Sequence, residues 1–188
     1  MSVLTPEFRG SFVTLIEPRE SAPNARPQYS MMVVLDKSDA QTAPFMKELK
    51  EAMEEVWYER HKTKLPREVW DFNIKNGDGP ITNTGKTYDE LTGCWVFRTT
   101  AGEDRQPRVI DTHKRIVTDP KLLRSGNWFR ASVSPWAWKA FSGVSIDLNS
   151  VLFVREDDPY AGGNEEDAEE VFDEFFEDED EDEDDLFA

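Results

Sequence analysis

At 188 residues the chain has room for one ordinary domain plus an appendage, and its 38% hydrophobic content supports a packed core. The formal net charge of −17 is hostile to a polyanionic partner only as an average: all 22 Lys and Arg and 20 of the 39 acids lie in 1–155, whereas 156–188 holds the other 19 acids and no base. One cysteine excludes an internal disulfide, and without an apolar run near the ~18 residues of a membrane span or a leader-like start, a cytoplasmic protein with no membrane partner is expected.

Residues 8–16 are rich in strand formers (Phe12, Val13, Thr14, Ile16), and Pro18 is expected to stop that strand. After a loop broken by Pro23 and Pro27, residues 29–35 read as a second strand. Residues 44–60 change period. Phe45, Leu49, Ala52, Met53, Val56 and Trp57 recur at three- and four-residue spacing against a face of Lys and Glu. This predicts one amphipathic helix, with Thr42 as its cap and Pro44 near its start. From 62 to 90 the chain is polar and turn-rich, with Asn76-Gly77-Asp78-Gly79-Pro80 as a turn cluster, and reads as a long loop. Strand signals resume at 93–100, 108–112, weakly at 115–117, then at 128–134 and 144–154.

Five or six short strands and one helix make the expected fold mainly β, a small OB-fold-like barrel spanning 1–156. Cys94 sits in the apolar run Cys94-Trp95-Val96-Phe97 and reads as a buried structural thiol. Residues 157–164, with Pro159, Gly162 and Gly163, read as a hinge. Residues 165–188 read as a disordered acidic tail, because like charges repel and little apolar area offsets chain entropy.

Residues 95–141 carry seven large aromatics and nine cations against four acids. Cations that track phosphates and flat rings on which bases stack are the two devices that hold single-stranded nucleic acid. Alternation along 128–134 puts Phe129, Ala131 and Val133 on one face and Trp128 and Arg130 on the other. Phe97 and Phe129 are assigned to the core. Trp136 and Trp138 follow Pro135, which is expected to end the strand; in an extended chain both rings point the same way, as a platform for successive bases. The candidate DNA-binding set is Trp136, Trp138, Arg98, Arg108, Arg105, Arg130, Trp128, Lys139 and Arg115.

In the tail, Val171, Phe172, Phe175 and Phe176 form an apolar cluster at helical spacing, and Leu186 and Phe187 follow the acidic run 177–185. Phe172, Phe175, Phe176, Leu186 and Phe187 are candidate docking residues: charge steers, and a ring fills a partner's pocket. The same tail is expected to compete with DNA for the basic groove.

These features together resemble the single-stranded DNA-binding proteins of tailed bacteriophages. The matching residues are Asn76-Gly77-Asp78-Gly79, Arg108-Val109-Ile110-Asp111, Arg130-Ala131-Ser132-Val133-Ser134-Pro135-Trp136-Ala137-Trp138 and the stretch from Gly143 to Val151, followed by the acidic tail. The resemblance implies an oligonucleotide-binding fold and no cofactor. It also implies DNA contact by Trp136 and Trp138, with Arg98 and Arg108 as looser counterparts, and a homodimer. The tail would contact the replication polymerase and helicase-primase. Family tails commonly end on an aromatic, whereas here Ala188 follows Phe187.

A nuclease is the first rival, but it needs converging carboxylates, and His61 and His113 stand 52 positions apart without ligand-like neighbours. With no P-loop or nucleophile elbow either, no catalysis and no metal are expected. An acidic chaperone or DNA mimic fits the tail but not the tryptophan-rich cationic segment.

Overall fold

The structure, a computed structural model, describes residues 1–81, 85, 87–139 and 143–159; Phe141, the residues 160–164 assigned to the hinge and the tail residues Phe172, Phe175, Phe176, Leu186 and Phe187 lie outside it. In chain order the elements are β1 (Val3–Leu4), β2 (Phe8–Arg19), β3 (Gln28–Asp36), α1 (Thr42–His61), α2 (Arg67–Asn73), β4 (Lys75–Asn76), a 3-10 turn at Asp89–Leu91, β5 (Cys94–Gly102), β6 (Arg108–Ile110), β7 (Trp128–Ala137) and β8 (Val144–Arg155).

Five of these strands close a barrel. β2 pairs antiparallel with β3 and β3 with β5; β5 runs parallel to β8 and β8 antiparallel to β7. β7 returns to β2 through Phe8 opposite Phe129 and Arg9 opposite Trp128. The mainly β barrel read from the alternation is therefore the observed architecture. Alternate residues point inward (Met31, Val33 and Leu35 from β3; Phe97 and Ala101 from β5; Phe129, Ala131 and Val133 from β7; Val144, Ile146 and Leu148 from β8), and all are buried. α1 lays Phe45, Leu49, Met53 and Trp57 into the same core, with the Phe45 and Phe97 rings 6.1 Å apart.

Four local expectations change. Residues 62–90 are not one loop: α2 follows Pro66 and buries Val69, but seven residues are too few for a helical period to stand out. β7 does not stop at Pro135, which pairs with Ile146; among the described residues β1 reaches only Ser132 and Val133 on the other edge, where a missing N–H is tolerated. Likewise β2 runs past Pro18 to Arg19, with an irregular register between Ser11 and Thr14, where Phe12 takes a positive φ of 48°. Thr42 does not cap α1. Its hydroxyl donates to the Asp36 carbonyl at 2.7 Å, and Gln41 occupies the cap position without a side-chain bond.

The described residues between β4 and β5 form a strap over the outside of the barrel. Ile81 and Leu91 bury Met32, Val34 and Val96, with Tyr88 packed against them. The turn cluster read from sequence clasps its two ends. The Gly77 N–H donates to the Cys94 carbonyl at 2.9 Å, and the Asp78 carboxylate accepts from the Gly93 N–H at 2.6 Å and from Lys37. The Lys37 ammonium and the Gly93 amide hold the Asp78 carboxyl below the usual aspartate range. Cys94 is half-buried at this junction, and burial pushes its thiol pKa up. A Cβ on Gly77 would lie 1.8 Å from the Leu91 carbonyl oxygen, so the clasp has no room for one. Gly77→Ala is expected to destabilise the protein by about 1–3 kcal/mol, the usual scale of overpacking, as read by urea denaturation.

Candidate nucleic-acid interface

Residues opposite one another on neighbouring strands share a face, so the ladder register maps the outside of the barrel. One outward row runs Thr14, Ser30, Thr100, Asp147, Ser134 across β2, β3, β5, β8 and β7. Two residues further along, Arg98 of β5 stands opposite Met32, and Trp136 of β7 opposite Ser145 of β8. The strap covers Met32, so Arg98 sits at the strap's edge, with the hydroxyl-bearing row beside it.

Trp136 and Trp138 form the aromatic part of this surface. They are 42% and 37% exposed, with ring centroids 4.5 Å apart and planes at 73°. The pair is therefore edge-to-face, not the parallel platform expected of an extended chain. The Trp138 indole N–H donates to Ser145 Oγ at 2.9 Å, and its main-chain N–H to the Gly143 carbonyl at 3.1 Å, which fixes the ring over β8. Lys139 follows, exposed.

Arg105 reaches this face from the loop after β5. Its guanidinium meets Asp147 at 3.1 Å and neutralises the carboxylate in the outward row. Gln106 ties the same loop to β2 by donating to the Leu15 carbonyl at 3.1 Å. Arg108 of β6 is exposed beside Ser150 of β8, which itself pairs with Ser132 of β7. Trp136, Trp138, Lys139, Arg98 and Arg105 thus share one region, with Arg108 further along the same face.

The structure separates the remaining candidates. Arg115 belongs to a turn of its own, bound to Asp111 at 2.8 Å; Asp111 also accepts the main-chain N–H groups of Arg115 and His113, which hold its carboxyl below the usual range. Trp128 and Arg130 point outward on β7, but Trp128 is eight residues from Trp136, about 26 Å at ~3.3 Å per residue. There the Arg155 guanidinium lies 4.3 Å from the Trp128 ring centroid, and the indole N–H donates to Asp157 at 2.7 Å. Glu7 pairs with Arg155 at 2.6 Å and with Arg130 at 3.9 Å. Arg124 is one of the nine cations counted in 95–141, but sequence reasoning missed Arg9 and Arg155 in this second cluster, because only pairing of β2 and β8 with β7 brings them here. Residues 157–158, assigned to the hinge, are held here: Asp157 N–H donates to Asn127 at 3.0 Å, Arg124 donates to the Asp157 carbonyl at 3.2 Å, and Arg9 donates to the Asp158 carbonyl.

Among the described residues, no group of three His, Cys, Asp or Glu is placed to hold a metal ion, and His61 packs on Trp57 with ring centroids 4.1 Å apart. No helix among them is long and apolar enough to cross a membrane.

The model of one protein family, described as Enterobacter phage Enc34 ssDNA-binding protein, matches residues 1–187. The chain belongs to this family.

Three solved structures share the fold of this chain. The single-stranded DNA-binding protein of bacteriophage Enc34 in complex with ssDNA is 21% identical, with a TM-score of 0.70 over 85% of this chain and 89% of that one. A C-terminal truncation of that phage protein is 22% identical, with a TM-score of 0.67 over 85% and 88%. Bacteriophage T7 gp2.5, a single-stranded DNA-binding protein, is 15% identical, with a TM-score of 0.52 over 87% and 96%. Among curated proteins no relative matches the chain.

Proposed function

We propose that this member of the Enc34 family binds single-stranded DNA without strong sequence preference on the outward face of β5, β7 and β8. The observation that carries the reading is the exposed Trp136–Trp138 pair beside Arg98, Arg105 and Lys139. Either ring offers a stacking surface worth roughly 1–3 kcal/mol per base. Because the planes stand at 73°, a base stacked on one ring meets the edge of the other, which walls the site. Ser30, Thr100 and Ser134 supply neutral hydrogen bonds to phosphate or sugar, contacts that position a strand without reading its sequence. Arg108 extends the same face.

In this reading the protein protects bare strands during phage DNA replication and recombination in the host cytoplasm. It does so without catalysis or cofactor, as a monomer or homodimer. The acidic tail competes with DNA for the cationic face, and through Phe172, Phe175, Phe176, Leu186 and Phe187 it recruits replication proteins such as the polymerase or helicase-primase.

The experiment is a tryptophan-fluorescence competition among single-stranded DNA, duplex DNA and RNA, with the full chain and with 1–164. Single strands should quench, and affinity should fall with salt at a slope of about −0.7 per phosphate neutralised. The truncated chain should bind more tightly and with a steeper salt dependence, because salt no longer weakens a competing tail at the same time. Absence of quenching would instead support an acidic protein that binds basic partners.

A further inference from the structure

The Trp128 end of β7 gathers four guanidinium groups from separate parts of the chain. Arg9 comes from β2, Arg124 from the turn before β7, Arg130 from β7 and Arg155 from the end of β8. Arg155 lies against the Trp128 ring, a cation and an aromatic surface in one place. Among the described residues, Glu7 pairs with both Arg130 and Arg155, and Asp157 accepts the indole N–H. Arg124 and Arg9 donate to main-chain oxygens of Asp157, Gly126 and Asp158. A carboxylate held by guanidinium groups occupies the kind of position a phosphate takes, since the arginine fork fits both oxyanions alike.

This cluster is joined to the Trp136–Trp138 pair along one strand face. Trp128, Arg130, Ser132, Ser134 and Trp136 alternate outward on β7. Asn149 donates to Ser134 Oγ at 2.8 Å and lies near Ser132, so amide and hydroxyl groups line the interval. Among the described residues the acid in this lane is Asp147, which Arg105 matches.

Resting on the single-strand reading above, we infer that the Trp128 end is a second contact for single-stranded DNA, masked in the free protein by Glu7 and Asp157. A strand long enough to run from Trp136 to Trp128 displaces the two carboxylates with its own phosphates. Asp157 is the second residue of the acidic C-terminal stretch, so displacing it also loosens the root of that stretch.

The test uses the full chain and oligothymidylates of two lengths, about 4 and about 12 nucleotides, bound one to one. In the unaltered protein the longer strand should show a salt slope steeper by about 1.4–2.8, the equivalent of two to four further phosphates at ~0.7 each. Glu7→Gln should raise affinity for the longer strand relative to the shorter by about three- to tenfold, the scale of one released charged contact. Arg130→Ala and Arg155→Ala should bring the longer strand's slope down toward the shorter strand's, with melting curves confirming that each variant folds. Equal slopes for the two lengths in the unaltered protein, with normal binding of the shorter strand, would overturn this inference alone. Failure to bind the shorter strand would overturn the Trp136–Trp138 reading instead.

Discussion

Replacing Trp136 and Trp138 together by alanine should weaken single-strand binding by about 2–5 kcal/mol while leaving the melting temperature nearly unchanged. Each ring contributes stacking on the scale of roughly 1–3 kcal/mol, and the two touch at 4.5 Å, so the double loss should fall short of the sum of the single losses. Both side chains are substantially exposed where β7 runs out, and the barrel does not depend on them. Trp138→Phe separates two effects: it keeps a stacking ring but removes the donor to Ser145, so an intermediate loss is expected. Equilibrium titration by anisotropy of a labelled strand measures the two single alanine variants, the double variant and Trp138→Phe.

The largest stability effect is expected at Phe129. Its side chain is fully buried where β7 meets both β2 and β8, with ring centroids 6.2 Å from Phe8 and 6.0 Å from Phe153. Gly10 faces it, and a Cβ there would come within 2.7 Å of the Phe129 ring, so absence of a side chain at position 10 makes the hole that the ring fills. Phe129→Ala should cost about 3–5 kcal/mol, combining lost burial with a cavity that the closed barrel cannot collapse. A domain whose whole stability is about 5–15 kcal/mol would then unfold at much lower urea concentration. Loss of binding by this variant should track its unfolded fraction, unlike that of the tryptophan variants.

These residues also show what the chain made legible. Alternation separates Phe129 from Trp128 and Arg130, and the ordinary preference of an aromatic for the core puts Phe129 inward, as observed. It says nothing of position along the barrel, and so Trp128 was grouped with Trp136, although the strand sets them about 26 Å apart. The 20-residue α1 stood out because its apolar period repeats through several turns, whereas α2 has seven residues and sits in a polar stretch. Proline misled twice. At Pro18 and Pro135 the strand carries on, since a missing N–H matters only where a neighbouring strand needs it. Trp136 and Trp138 were visible as a pair because they are neighbours in sequence. The placing of Arg105 against Asp147, and of Arg9 and Arg155 around Trp128, depends on long-range pairing that no local pattern encodes.

Ultraviolet crosslinking of a thymidine-rich single strand to the intact chain, with the crosslinked peptides located by mass spectrometry, interrogates the binding face directly. Adducts should concentrate on Trp136, Trp138 and Lys139 and on the β5 peptide that holds Arg98. Adducts confined to α1 and α2, with none on the end of β7, would contradict the assignment of that face to DNA.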